Sequence, residues 1–188
     1  MIEANTQHDG LYPLGEFYKR SEIKLPTFTF IEPDLIPYPY RQLLYHNEDM
    51  TSVLQNHHRQ KIHLDLIEFI EDGNSILRRV SLLREDRKIV EFGAIEINMA
   101  LFPDAARMEI RNSYTPLGAI LEKYQVEYKS KPKGYFQINS DEMINRSLNL
   151  QGSHLLFGRV NQIRNLQDLS LASVVEILPP KDKFDENR

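Results

Sequence analysis

The chain has 188 residues, a formal net charge of −4 and no cysteine, the size of one ordinary domain able to bury a genuine core. That charge offers no basic field for nucleic acid or an anionic membrane surface, and the missing thiols exclude disulfides and thiolate metal sites. The polar start MIEANTQHDG lacks the basic and apolar regions of a secretory signal and no apolar run approaches membrane-spanning length, so a cytoplasmic protein with no membrane and no nucleic-acid partner is expected.

Residues 1–33 mix aromatics with Pro and Gly and hold no sustained period, which predicts an extended lead-in on the surface. From Tyr40 to His46 the spacing of Tyr40, Leu43 and Leu44 is helical, and Asp49 suits the cap of a second short helix carrying Met50, Val53 and Leu54. Residues 62–70 and 75–84 read as strands around Glu71-Asp72-Gly73-Asn74, an antiparallel hairpin. Residues 89–98 add a third strand with Gly93 at its centre, where something approaches the backbone closely or a neighbour packs tightly.

Thr115 as cap and Pro116 at the first helical position predict a helix with Leu117, Ile120, Leu121 and Tyr124 on one face. Tyr135–Ile138 is a short strand, and Ser140 caps a helix running to about Leu148. Two strands, His154–Ile163 and Leu169–Leu178, form a second hairpin. Sequential strands with helices between the groups argue for an α+β domain on an antiparallel sheet covered on both faces. Residues 181–188 read as a charged, frayed tail.

Three charged residues interrupt apolar strands: Glu176 in SVVEILPP, Arg79 in SILRRVSLL and Arg159 in HLLFGRV. Buried charges must be paired, or must bind something. One possibility is that they neutralise each other; the other is a dry cleft where arginines clasp carboxylates and Glu176 addresses a hydroxyl or takes a proton. Spacing leaves both open. No phosphate loop, nucleophile elbow or His-Glu-x-x-His pattern occurs, and His57, His58 and His63 lack metal-ligand spacing, so no metal is expected.

Five short segments in order carry a family resemblance: Glu48-Asp49-Met50-Thr51, Leu77-Arg78-Arg79-Val80, Tyr114-Thr115-Pro116-Leu117-Gly118, Phe157-Gly158-Arg159 and Glu176-Ile177-Leu178-Pro179. Over roughly Tyr38 to Pro180 the chain resembles the chorismate lyase family, in the branch catalogued as a domain of unknown function. The resemblance implies a six-stranded antiparallel sheet with helices packed around it, and places such a domain at 34–180. It also implies conversion of chorismate, a dicarboxylate, to 4-hydroxybenzoate and pyruvate without metal or organic cofactor. Met50 and Leu117 would contact the ligand through backbone, Arg79 would hold the ring carboxylate, Glu176 would sit near the phenolic oxygen and Arg159 would help hold the second carboxylate. The doublet leaves Arg78 as the alternative to Arg79. Two further readings are a same-fold enzyme releasing another hydroxybenzoate, such as 3-hydroxybenzoate, and a non-catalytic sensing domain like those of bacterial transcription regulators. The third is disfavoured by the short acidic segment before the match, which leaves no room for a helix-turn-helix.

Overall fold

The computed structural model describes residues 10–183. In chain order these are α1 (Leu14–Arg20), β1 (Phe28–Ile31), α2 (Tyr40–Leu44), α3 (Met50–His58), β2 (His63–Asp72), β3 (Ser75–Leu83), β4 (Ile89–Asn98), α4 (Asp104–Asn112), α5 (Leu117–Lys123), β5 (Lys129–Asn139), α6 (Glu142–Leu148), β6 (Leu155–Arg164) and β7 (Ser170–Leu178). The strands form one seven-stranded sheet in the order β1-β5-β6-β7-β4-β3-β2, every neighbouring pair antiparallel.

The α+β expectation holds, with seven strands in place of six. The additional strand, β1, pairs with β5 from Phe28 opposite Ile138 to Ile31 opposite Tyr135. It lies in the segment read as an extended lead-in, which also contains α1. Leu11, Leu14, Phe17 and Tyr18 are fully buried, so that segment closes one face of the sheet. Residues 1–9 and 184–188, the latter most of the expected tail, lie outside the described residues.

The β2–β3 hairpin turns on Gly73-Asn74, with Gly73 at φ +60°, a conformation glycine adopts without strain. The middle strands β3, β4 and β7 are apolar on both faces because helices cover both sides. On one side α1 and α6 pack Leu14, Phe17, Ile144 and Leu148 onto Leu77, Phe92, Ala94, Val175 and Ile177. On the other, α4 and α5 pack Ala106, Ile110, Ile120 and Leu121 onto Ile76, Ile95, Ile97 and Val174. Beside them α2 and α3 place Leu43, Leu44, Met50 and Leu54 over Leu82, Tyr135 and Leu178. The site described next lies under this second side, where the cover passes from α3 to α5.

Two helix starts shift by one residue. Pro116, not Thr115, occupies the cap of α5, and the Thr115 hydroxyl donates instead to Glu109 at 2.9 Å. Asp141, not Ser140, caps α6 by accepting from the Ile144 N–H at 3.0 Å, while Ser140 Oγ accepts from the His154 N–H.

Candidate functional site

Strand alternation decides which charges meet. On β3, Arg78, Val80 and Leu82 point to the α3/α5 side, opposite Ile95, Gly93 and Glu91 of β4. Gly93 lies opposite Glu176 of β7, and Glu176 lies opposite Arg159 of β6. Arg78, Glu91, Gly93, Glu176 and Asn161 therefore floor a cavity of about 60 Å³, roofed by Asp49, Met50 and Thr51 at the start of α3 and by Pro116, Leu117 and Gly118 at the start of α5. Met50, Leu117 and Glu176, the residues expected at one pocket, all line this cavity.

Arg79 does not reach it. One residue out of phase, it points to the opposite face, where Nε and Nη2 donate to Glu68 Oε2 at 2.9 and 2.6 Å and the guanidinium lies over the Phe17 ring. Arg78 is the pocket arginine. It is 1% exposed, and its Nε and Nη1 have no hydrogen-bond partner among the described residues. Burial pulls its pKa down to about 10.

Arg159 is equally buried but fully engaged. Its Nε donates to Glu176 Oε2 and its Nη2 to Oε1 at 3.4 Å, while Nη1 donates to the carbonyls of Leu44 at 3.2 Å and His46 at 3.1 Å, and Nη2 to that of Glu48 at 3.2 Å. It pins the chain between α2 and α3 to the sheet and spends its donors there. The mutual pairing left open from sequence thus occurs, between Glu176 and Arg159 and not with Arg79. His46, against this guanidinium, has its pKa lowered by burial and by the neighbouring positive charge.

Glu91 has no such partner. It is 3% exposed, and its Oε2 has no hydrogen-bond partner among the described residues. Burial, then the nearby Glu176 carboxylate, raises its pKa well above the ordinary range. The criterion that singled out Glu176, a charge interrupting an apolar strand, applies equally to Glu91 in IVEFGAIEI. Gly93 accounts for the close approach: a Cβ there would sit 3.3 Å from Glu91 Oε1 and from Val80 Cγ2.

At the roof, Asp49 caps α3 through the Ser52 N–H at 2.9 Å and hydroxyl at 2.7 Å, and accepts from the Tyr128 hydroxyl at 3.2 Å. Its carboxylate lies so close to Gly118 that any side chain there would overlap it. The two roof segments are clasped at this contact. Among the described residues, no three His, Asp or Glu side chains gather to hold a metal, and no helix is long and apolar enough to cross a membrane.

The site is thus an arginine-bearing pocket between an antiparallel sheet and two helix starts in an α+β domain. No protein-family model matches the chain, and no curated protein sequence matches it. Solved structures do. PhnF from Mycobacterium smegmatis superposes with a TM-score of 0.56 at 9% identity over 72% of this chain, which spans 64% of the PhnF chain. The effector domain of the same protein gives 0.53 at 9% identity, over 70% of this chain and 88% of that domain. The ligand-binding domain of a putative GntR-family transcriptional regulator from Bordetella bronchiseptica gives 0.47 at 11% identity, covering 64% and 86%. At such identities the likeness is one of fold alone.

The activity implied by the sequence resemblance is corrected. The fold is matched by an effector domain, no family match to chorismate lyase accompanies it, and the expected carboxylate clasp Arg79 lies on the wrong face while Arg159 is consumed internally. The expectation of no nucleic-acid partner, drawn from net charge and from the length before the match, gains no support from this likeness, in which the chain spans only 64% of PhnF.

Proposed function

We propose that this chain is a small-molecule-sensing domain that binds an anion on Arg78 and does no chemistry on it. The observation that carries the reading is the Arg78 guanidinium, buried in the floor of the cavity that the α3 and α5 starts roof, with two nitrogens unpartnered among the described residues. A buried charge without a partner costs several kcal/mol, an arrangement best accounted for by a ligand that supplies the counter-charge. A carboxylate or phosphate matches the guanidinium fork. Glu176, the residue expected to take a proton, has both oxygens held by Arg159, which favours binding over catalysis.

Size supports a moving part. A cavity of about 60 Å³ is far below the roughly 300 Å³ and more that encloses a drug-sized ligand, so all but the smallest anions must part the roof. Parting it separates Asp49 from Gly118 and shifts α3 against α5, a displacement that a binding event can transmit. In a transcription regulator such a signal passes to a DNA-binding unit.

Thermal unfolding in the presence of acetate, benzoate, succinate and inorganic phosphate tests the reading. At least one should raise the melting temperature in proportion to occupancy, with the rise lost in Arg78→Met. No stabilisation by any of the four, or a rise that Arg78→Met retains, would overturn it.

A further inference from the structure

Resting on that sensing role, we infer that Glu91 is a second specificity-determining residue of the pocket: it donates a hydrogen bond to an uncharged acceptor on the ligand, whose anionic end lies on Arg78. The ligand class is then a carboxylate carrying a carbonyl or ether oxygen further along its chain.

The geometry sets the span. Arg78 pairs across the sheet with Ile95, and Glu91 stands four residues before Ile95 on β4, about 13 Å away along the strand at the usual rise. Midway lies Gly93, opposite Val80. The missing side chain leaves a trough there, and the Glu91 carboxyl leans back into it, its Oε1 within reach of the place a Cβ would take. Arg78 and Glu91 thus mark the two ends of one trough floored by glycine, and both carry nitrogen or oxygen atoms unpartnered among the described residues.

The surroundings fix which role Glu91 plays. Glu176 from β7 and Asp49 from the α3 cap face it with negative charge, and Arg159 from β6, the nearest positive charge, is committed to Glu176. Arg78 on β3 stands at the other end. A second ionised carboxylate beside Glu176 in a dry cavity has nothing to neutralise it, so the proton stays on and the group offers an O–H. The upward shift of its pKa from burial and from Glu176 runs in the same direction. A carboxylic acid in this state complements a neutral oxygen and repels a second anionic group only when it ionises.

Titration calorimetry with two matched acids, pentanoate and 4-oxopentanoate, distinguishes the inference from the reading beneath it. The ketone oxygen accepts but cannot donate, so a preference for the oxo acid requires a donor in the pocket. The parent should bind 4-oxopentanoate about tenfold more tightly than pentanoate, the worth of one well-placed hydrogen bond. Glu91→Gln, whose amide still donates, should keep the preference; Glu91→Leu should abolish it while still binding both acids. As pH rises through the raised titration of Glu91 the parent should lose affinity for the oxo acid, and Glu91→Gln should not. Equal binding of the two acids by the parent, or a preference that Glu91→Leu retains, overturns the role of Glu91 while leaving Arg78-dependent sensing in place. Failure of the parent to bind either acid, at levels where Arg78→Met also binds neither, overturns both.

Discussion

Two arginines are buried at the sheet, Arg78 in the pocket floor and Arg159 beside it against Glu176, yet their surroundings are built in opposite ways. At Arg159 every donor is matched: one carboxylate and three backbone carbonyls converge on a guanidinium with no exposed surface. At Arg78 the guanidinium is buried with no ion pair among the described residues, and two of its nitrogens have no hydrogen-bond partner there. Equal burial therefore does not mean equal purpose. A charge that is fully neutralised internally holds the fold together, whereas one kept dry and unmatched is held for something that arrives from outside.

The sharpest way to break this contrast is to delete Arg159. Arg159→Leu should strand Glu176 and release three carbonyls, costing about 3–5 kcal/mol in urea unfolding; a loss under about 1 kcal/mol would end the distinction. Next in size is the roof clasp. Gly118→Ala forces a methyl into the Asp49 carboxylate and should cost about 1–3 kcal/mol, with ligand affinity changed as well because the roof is displaced; chemical denaturation and calorimetry on one preparation read both.

Glu91→Gln should stabilise the ligand-free protein at neutral pH by roughly 1 kcal/mol, since it replaces an acid that cannot ionise comfortably with a neutral isostere. The sign follows from linkage. With the folded-state pKa raised, the parent's contribution from Glu91 is complete below the ordinary glutamate range and is lost as pH rises toward and through the raised value. Melting curves against pH should show that decline in the parent and a flatter profile in Glu91→Gln. Smallest is Arg78→Met, expected to leave ligand-free stability unchanged or slightly improved, since it removes an unpaired buried charge and keeps most of the volume.

The sheet was largely legible because its central strands are bounded by turn signals, Gly73-Asn74 above all, and because runs such as residues 75–84 are apolar on both faces. The N-terminal elements were not. Helix α1 is only seven residues long, too short to establish a period, and β1 is a four-residue edge strand whose identity comes from pairing with β5. At the site, side-chain parity already separated the doublet: Ile76, Val80 and Leu82 share a face, and Arg78, not Arg79, belongs to it. Glu91 was legible by the rule that found Glu176. The β6–β7 hairpin that sets Glu176 opposite Arg159 spans only 17 residues and was within reach of local reading, whereas no local pattern carries the carbonyls of residues 44, 46 and 48 that complete the arginine's shell, because they lie 111 to 115 residues away in sequence.

The contact between Asp49 and Gly118 gives the pocket a clock as well as a roof. On the sensing role proposed above, a ligand that parts the roof displaces the same carboxylate that caps α3 and takes the Tyr128 hydroxyl, so the entrance would open only as often as that helix end lets go. Admission is then a first-order event in the protein. In stopped-flow mixing the observed association rate should climb with ligand concentration and level off at the opening rate, well below the diffusional encounter limit, and removing the Asp49 carboxylate should lift the plateau.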